Sequence, residues 1–591
     1  MKSAACIAFV LAIASSSSSP AFVQRAADEV DLSPAAWEAG EIEKYIALES
    51  NRGEVKPLAE GESGLIAGSS STLAMRAGLE ALKQGGSAAD AVLAAAMTQI
   101  VMNAGATISY AGVLEMVYYD AKTGKVHALD GGFNTVRAED DPMSIPTASY
   151  MNPGEKPEPG PRGRTALVPG FMAGVQAAHD RFGKLPFDRI FQPAVYFAEE
   201  GIPITPRLGR WMEARKAILS RVPETKAVFT RADGEFYAEG DVFTQPAAAA
   251  TLRAVARSGA EYMYTGAWAE RFIDAVRADG GKMTMEDLAA YEPTWAEPLC
   301  VKYHGYDVYT IPQAFALAGG LHLLEVGGVS EMGHYGESPE TLYWMLKILR
   351  AVRFDPARGI LMGGTQPSDW LDKGVAAEVW QHLQDNSGGE AEAEASAGEG
   401  KSLEQGPGHS SSIVAVDRDG NIAAVLHSIN TVVWGENGLV IGGVSIPDAA
   451  SFQQYLISAT GPGKRMPTQT DPVIVLKDGR PVLATSAIGA AIDCDTLRVL
   501  FSALDFGMDP REALDAAGVL GAVDERERVT EGEYSEALIE AVAELGMELE
   551  VVDGPTAGRF RGSGVMLAID PETGRVTGCA SALSNGGALA Y

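Results

Sequence analysis

The sequence predicts an α+β protein in which stacked antiparallel sheets are covered by helices, and three observations carry that expectation. Apolar runs joined by turn residues mark a hairpin early in the chain, Val113–Tyr119 with Lys125–Leu129 around Asp120-Ala121-Lys122-Thr123-Gly124. The same pattern returns late, at Val473–Leu476 with Val482–Ser486 and at Val565–Ile569 with Val576–Ala580. Between them the apolar spacing is mainly helical. Strands at both ends with helices between are expected to bury their apolar faces as layers.

At 591 residues the chain exceeds what one hydrophobic core usually supports, so two lobes or one large interlocked domain is expected. A 46% hydrophobic share with 21% charged residues is ordinary for a globular protein. The formal net charge of -31, with no basic cluster to reverse it, excludes nucleic acid as the natural partner and favours small molecules.

In chain order, Met1 to Ala21 reads as a secretory signal peptide: Lys2 supplies the positive start, Ala4 to Ala14 the apolar core, and Ser19-Pro20-Ala21 small residues for cleavage. That run is too short to span a bilayer, so export is expected, to a periplasm or to the outside. Residues 22–66 form an N-terminal extension, with one amphipathic helix predicted over Pro34–Leu48. Met75–Lys83 is a predicted helix stopped by Gly85-Gly86, and Ala88–Met102 is an Ala-rich helix apolar nearly all round, which implies burial. After a Pro/Gly-rich loop, helices are predicted from an opening at Val168–Gly174 to Phe182, over Ala194–Glu200, Ala247–Arg257, Ala267–Arg277 and Pro339–Phe354, with a strand at Tyr306–Ile311. Further helices are predicted over Thr496–Phe506, Pro510–Ala517 and Ser535–Leu545. Cys6 leaves with the signal; Cys300, Cys494 and Cys579 have neither metal-ligand spacing nor a disulfide framework and read as packed thiols, one disulfide being left open.

The chemistry concentrates at one junction. Residues 384–409, with Ser387-Gly388-Gly389-Glu390 and alternating Ala/Glu, cannot repay the entropy of ordering and read as a flexible linker. The linker stops at Gly408-His409-Ser410-Ser411-Ser412, where a strand-like run, Ile413–Val416, begins. Cleavage between His409 and Ser410 would make Ser410 a chain terminus carrying a hydroxyl and a free α-amine, a nucleophile with its own base. The next strand, Ile422–Ser428, is followed by Asn430, and a hairpin returns this end to the side of Ser410, where Ser428 can hydrogen-bond the amine. The plain alternative is that three adjacent serines form a solvated loop. There is no Gly-x-Ser-x-Gly elbow, and His304, His334, His382, His409 and His427 lack ligand spacing, so they read as surface or packing histidines and no metal site is expected.

Many short matches, in order, then carry a resemblance. They include Ala77-Gly78-Leu79 with Gly85-Gly86-Ser87-Ala88-Ala89-Asp90-Ala91, Tyr119 to Val126 leading to Leu129-Asp130-Gly131, Val168-Pro169-Gly170 and Pro193-Ala194 with Ala198-Glu199-Glu200-Gly201. Others are Gly281-Lys282-Met283-Thr284 with Asp287 to Tyr291, and Asp417-Arg418-Asp419-Gly420-Asn421. From about Gly68 to Tyr591 the chain resembles the γ-glutamyltransferase family of N-terminal-nucleophile hydrolases. The resemblance implies a four-layer αββα sandwich with a large helical portion, and a precursor that cuts itself into a large-subunit region, 67–383 plus the linker, and a small-subunit region, 410–591, which stay together. It implies no cofactor. The family's nucleophilic threonine falls on Ser410, its neighbour on Ser411, its following histidine on Ser412, its amine-supporting threonine on Ser428 and its substrate-holding asparagine on Asn430.

Several positions depart from the family pattern. The arginine that clamps the γ-glutamyl carboxylate is Gly132 here, and Arg137 is the nearby substitute. The family's Ser-Ser pair falls on Thr468 and Gln469, its oxyanion glycines on Gly489 and Ala490, and its amine-gripping acid on Asp448. The expected function is therefore that of an exported, self-processing γ-glutamyltransferase-like hydrolase or acyltransferase acting on γ-glutamyl or related amides, glutathione-type substrates included. The alternatives are an amidase or cephalosporin-acylase-like enzyme of the same fold, and a non-catalytic paralogue serving as an envelope binding or structural protein.

Overall fold

The computed structural model describes residues 30–50, 53–149, 160–352, 354–355, 360–361, 367–385, 410–468, 470–489, 492–520, 526–557 and 561–591. Two seven-stranded sheets dominate. In spatial order the first runs Gly587–Ala590, Leu65–Gly68, Ser410–Val416, Ile422–Ser428, Val113–Asp120, Lys125–Gly131 and Thr294–Ala296, every neighbour antiparallel. The second runs Ala59–Gly61, Val576–Ala580, Gly562–Ile569, Arg480–Gly489, Val473–Lys477, Tyr306–Thr310 and Leu299–Tyr303, again antiparallel throughout.

Side chains on a strand alternate between faces, and here both faces of the first sheet are buried. Ile413, Ala415, Ala423 and Val425 pack into a core with Ala-rich Ala88–Met102 and the helix Thr72–Lys83. Val414, Val416, Ile422 and Ala424 pack instead with Val473, Ala484, Val565 and Leu567 of the second sheet. The outer face of that sheet is covered by the helices Ile492–Phe506, Pro510–Asp515 and Phe315–Val326, through Leu497, Phe501, Leu514 and Leu321. The result is a four-layer αββα sandwich, and because one sheet feeds both cores it is an interlocked body rather than two lobes.

Ala88–Met102 reads apolar all round because it has company on every side; only its first turn needs polar help. Ser87 Oγ accepts from the Asp90 N–H while the Asp90 carboxylate accepts from the Ser87 N–H, a capping box that satisfies two otherwise orphaned donors.

The extension is more deeply built in than its composition implies. The expected boundary between residues 66 and 67 cuts through Leu65–Gly68, which lies beside the strand Ser410–Val416 with Ile413 opposite Gly68 and Val416 opposite Leu65. The helix expected over Pro34–Leu48 is broken: a short 3-10 turn at Pro34–Ala36 ends at Trp37, which is extended (ψ 163°), and the helix Glu41–Ala47 starts afresh after Gly40, whose φ of +87° suits glycine. The helix Lys373–Asp385 runs into the first residues expected for the linker, and Pro339–Ala351 stops short of the expected Phe354, which lies in the two-residue strand Phe354–Asp355. The signal segment 1–21, residues 386–408 of the linker and His409 lie outside the described residues. All three remaining cysteines are free, so the disulfide left open in the sequence does not form. Among the described residues no helix is long and apolar enough to cross a membrane.

Candidate active site

The site is built on one tight hairpin. Asp417 Oδ1 accepts from the N–H groups of Asp419 and Asn421, at 2.9 and 3.1 Å, and Gly420 takes a φ of +83°, which locks the turn and so the register of both strands. Val416 then faces Ile422, and six residues further on Ser410 faces Ser428. Ser410 Oγ donates to Ser428 Oγ at 2.9 Å, and the Asn430 N–H donates to the same oxygen at 2.9 Å. Asn430 turns the chain away with a φ of +47°, a conformation asparagine tolerates better than most side chains.

Alternation sends the three serines different ways. Ser411 lies on the helix-facing side, where its hydroxyl pairs with Ser70 Oγ at 2.6 Å. The Ser412 N–H donates to Ser69 Oγ at 2.9 Å, while its own hydroxyl is buried with no partner among the described residues. His427, opposite Ser411 in the register, turns its Nε2 to Gln99 Oε1 at 2.8 Å, and burial pushes its pKa down to about 3. A ring so weakly basic is a packing histidine, as the sequence implied.

A cleft of about 20 Å³, room for about one water, opens at Ser410. Ser69 and Ser70 approach from the end of Leu65–Gly68, Asn103 and Thr107 from the loop after Ala88–Met102, and Ile488 and Ser563 from the second sheet. Leu583, Ser584 and Asn585 close one side, and Arg207 is the sole charged side chain among the described residues of the lining. No histidine, lysine or carboxylate stands among those residues, so Ser410 has no side-chain base there. Next to Ile488, Gly489 ends its strand with a φ of +110°; an added Cβ would come 3.0 Å from Gly562 Cα and 3.3 Å from the Arg561 carbonyl oxygen, so only glycine fits. Ala490 lies outside the described residues.

The residues expected to hold substrate separate. A Cβ on Gly132 would meet Asp130 Oδ1 at 3.0 Å, Thr468 Cγ2 at 3.1 Å and Arg465 Cδ at 3.3 Å, tight contacts that these side chains would have to relieve by a few tenths of an ångström. Thr468 donates to Glu115 Oε1 at 3.1 Å, and Glu115 is held well above the usual carboxylate range by burial and by Asp130. Arg465 spends its donors on Asp130, the Asn134 side chain and the Glu292 carbonyl, all within 2.7 Å, and stacks over Tyr291. Arg137 is half-exposed and pairs with Glu286 at 2.7 Å. Asp448 is fully buried, accepts from Thr431 Oγ1 and from the Glu436 N–H, and burial raises its pKa; its oxygens tie down the loop after Asn430. Gln469 lies outside the described residues.

Sequence reasoning missed Ser69, Ser70, Asn103, Thr107, Ser563 and Arg207. One signal was present: Ser69-Ser70-Ser71 follows the apolar run Leu65-Ile66-Ala67, the mirror image of Ser410-Ser411-Ser412 before Ile413.

The gamma-glutamyltranspeptidase family model matches residues 74–591. The chain belongs to that family. Among curated relatives it is 26% identical over 481 residues to the glutathione hydrolase proenzyme of Escherichia coli (strain K12), covering 77% of this chain and 80% of that one. It is 25% identical over 584 residues to the glutathione hydrolase proenzyme of Bacillus subtilis (strain 168), covering 91% and 93%. Among solved structures, the cephalosporin acylase from Bacillus halodurans superposes with a TM-score of 0.74 at 24% identity, over 91% of this chain and 97% of that one, which establishes a common fold. This gamma-glutamyltranspeptidase-family chain is thus an N-terminal-nucleophile hydrolase by fold and family. Among its described residues no group of three or more His, Cys, Asp or Glu side chains is arranged to hold a metal ion.

Proposed function

We propose that this chain is an exported, self-processing hydrolase or acyltransferase whose nucleophile is Ser410 and whose general base is the α-amine that cleavage exposes. The observation that carries the reading is the buried Ser410–Ser428 pair in a cleft whose described lining holds no side-chain base. Ser410 Oγ attacks the His409 carbonyl carbon, the peptide shifts from nitrogen to oxygen, and water hydrolyses the ester, freeing the large fragment's new carboxylate and the amine of Ser410. That amine, held near Ser428 Oγ, takes the hydroxyl proton when Ser410 next attacks a substrate amide, and passes it to the leaving nitrogen. On this reading the backbone N–H groups of Gly489 and Ala490 stabilise the oxyanion. A cleft of about 20 Å³ holds no amino acid.

The substrate class is a γ-glutamyl or related amide, including glutathione-type donors; relatives named glutathione hydrolases support it. The acyl group passes to water or to an amino acid or peptide. A second reading, an amidase or acylase for other acyl groups, is favoured by one observation: the position of the family's clamp is Gly132, closely surrounded by Asp130, Thr468 and Arg465.

On a denaturing gel the purified protein is expected to split into fragments of about 40 and 19 kDa, from chain lengths on either side of the cut, while Ser410→Ala stays whole. A wild type that stays whole after prolonged incubation, with Ser410 unmodified, refutes the mechanism. Turnover of a chromogenic γ-glutamyl anilide against other acyl anilides then separates the two substrate readings.

A further inference from the structure

An oxyanion donor works only if its aim is fixed before the charge develops, and Gly489 has no side chain with which to fix it. Ile488 faces Ser563 and Gly489 faces Gly562 across the last two rungs between Arg480–Gly489 and Gly562–Ile569, and Ile488 and Ser563 both line the Ser410 cleft. The helix Ile492–Phe506 begins three residues beyond Gly489, with Asp495 in its first turn. Asp495 is 1% exposed; its Oδ2 accepts from the Gly562 N–H at 2.5 Å and its Oδ1 from Arg498 Nε at 2.7 Å. Arg498, buried as deeply, also donates to the Ala513 and Leu514 carbonyl oxygens at 3.1 Å each, which pins the guanidinium and with it the carboxylate. A Cβ on Gly562 would collide with Asp495 Oδ2 and with the Ile488 carbonyl oxygen, so this approach of carboxylate to backbone requires glycine.

An acid in the first turn of a helix ordinarily serves the dipole of that helix. This one spends an oxygen on backbone 67 residues further along the chain. Strand end, helix start and facing strand are thereby closed into a ring that contains Gly489, with a charge-assisted hydrogen bond at the closure. We propose that Asp495 is a positioning residue for the oxyanion site: through Gly562 it fixes the strand end from which the Gly489 N–H meets the developing negative charge. The proposal rests on Ser410 as nucleophile and Gly489 as oxyanion donor. A donor moved off its aim weakens the transition state more than the bound substrate, so the loss appears in kcat rather than in KM.

The test uses the processed full-length protein, the acyl anilide that wild type turns over best, and a boronic acid with the same acyl chain. The boron takes Ser410 Oγ as its fourth ligand while the hydroxyl proton passes to the α-amine, which leaves a tetrahedral anion in the oxyanion site. Asp495→Ala is expected to lose about 10- to 100-fold in kcat with KM within about threefold, and to bind the boronic acid more weakly by about the same factor as kcat falls. Asp495→Asn keeps an acceptor for one of the two donors and recovers part of the loss; should the alanine protein not fold, it carries the comparison against wild type. Leu497→Ala, from the same helix and buried in the core beneath it, is the structural control: its melting temperature falls while its kcat stays within about twofold of wild type. An alanine protein with wild-type kcat, or an asparagine protein with wild-type kcat where alanine does not fold, overturns the proposal while leaving the Ser410 mechanism standing. So does a loss confined to KM, or a Leu497→Ala protein whose kcat falls as steeply. A wild type that neither splits nor turns over any donor overturns that mechanism and this proposal with it.

Discussion

Replacing Ser428 by alanine tests the hydrogen-bonded centre of the site directly. Ser428 is 1% exposed and its hydroxyl oxygen receives two bonds, from Ser410 Oγ and from the Asn430 N–H, each at 2.9 Å. A buried hydrogen bond is worth about 1 kcal/mol net, so losing both removes about 2 kcal/mol from the arrangement that aims Ser410 and sets the turn at Asn430. If that support is fully expressed in the transition state, rates fall about 30-fold. Both chemical steps use the same oxygen, so both should slow together: appearance of the small fragment, followed on a denaturing gel, and release of anilide by the processed protein. Ser428→Thr keeps the oxygen and should stay within about threefold of wild type. A Ser428→Ala protein that splits and turns over at wild-type rates would refute the role given to this pair.

Two further outcomes follow from the packing. Gly132→Arg, which restores the family's residue type, is expected to lower the melting temperature and not to improve γ-glutamyl turnover, because the new Cβ meets Asp130, Thr468 and Arg465 at 3.0–3.3 Å; a gain in kcat/KM for the γ-glutamyl anilide would count against that geometry. Glu49, buried and accepting from Ser71 Oγ and the Leu73 N–H, has its pKa pushed up to about 7 by burial. A carboxyl raised from about 4.5 to about 7 contributes stability that is fully present below about pH 4.5 and is lost as pH rises through about 7, worth about 3 kcal/mol. Glu49→Gln should therefore flatten the fall of melting temperature between about pH 4 and pH 8, and an unchanged slope would show that the extension does not hold this carboxyl in the folded state.

Much of the site was legible because its central unit is local. The hairpin from Ser410 to Ser428 closes over a turn whose residues, Asp417 to Asn421, specify the register, so pairing of the two serines follows from counting along the chain. The helices Thr72–Lys83 and Ala88–Met102 and the hairpin Val113–Gly131 announce themselves in the same way, through caps, glycine stops and turn residues. Short or fully buried elements were harder. Leu65–Gly68 has four residues and no alternation, and the helix Phe315–Val326 is apolar across most of its faces, so neither displays a period that separates it from its surroundings. Gly587–Ala590, next to the last residue given, is a strand because Leu65–Gly68 offers it an edge.

By itself, then, the sequence determined the hairpin that pairs Ser410 with Ser428, the layered α+β class and the family, since each depends on residues close together in the chain or on short motifs in order. Only the tertiary structure decided what surrounds Ser410. Ser70 reaches Ser411 across 341 residues of chain and the Ser412 N–H meets Ser69 across 343. Arg207 and Ser563 enter the same cleft from a helix and from the opposite sheet. Gly132 is closely surrounded by Asp130, Thr468 and Arg465, which come from distant parts of the chain or the far side of the turn. Such contacts join surfaces brought together by burial of two shared cores, and nothing in the local order of residues at either end records which distant surface will arrive.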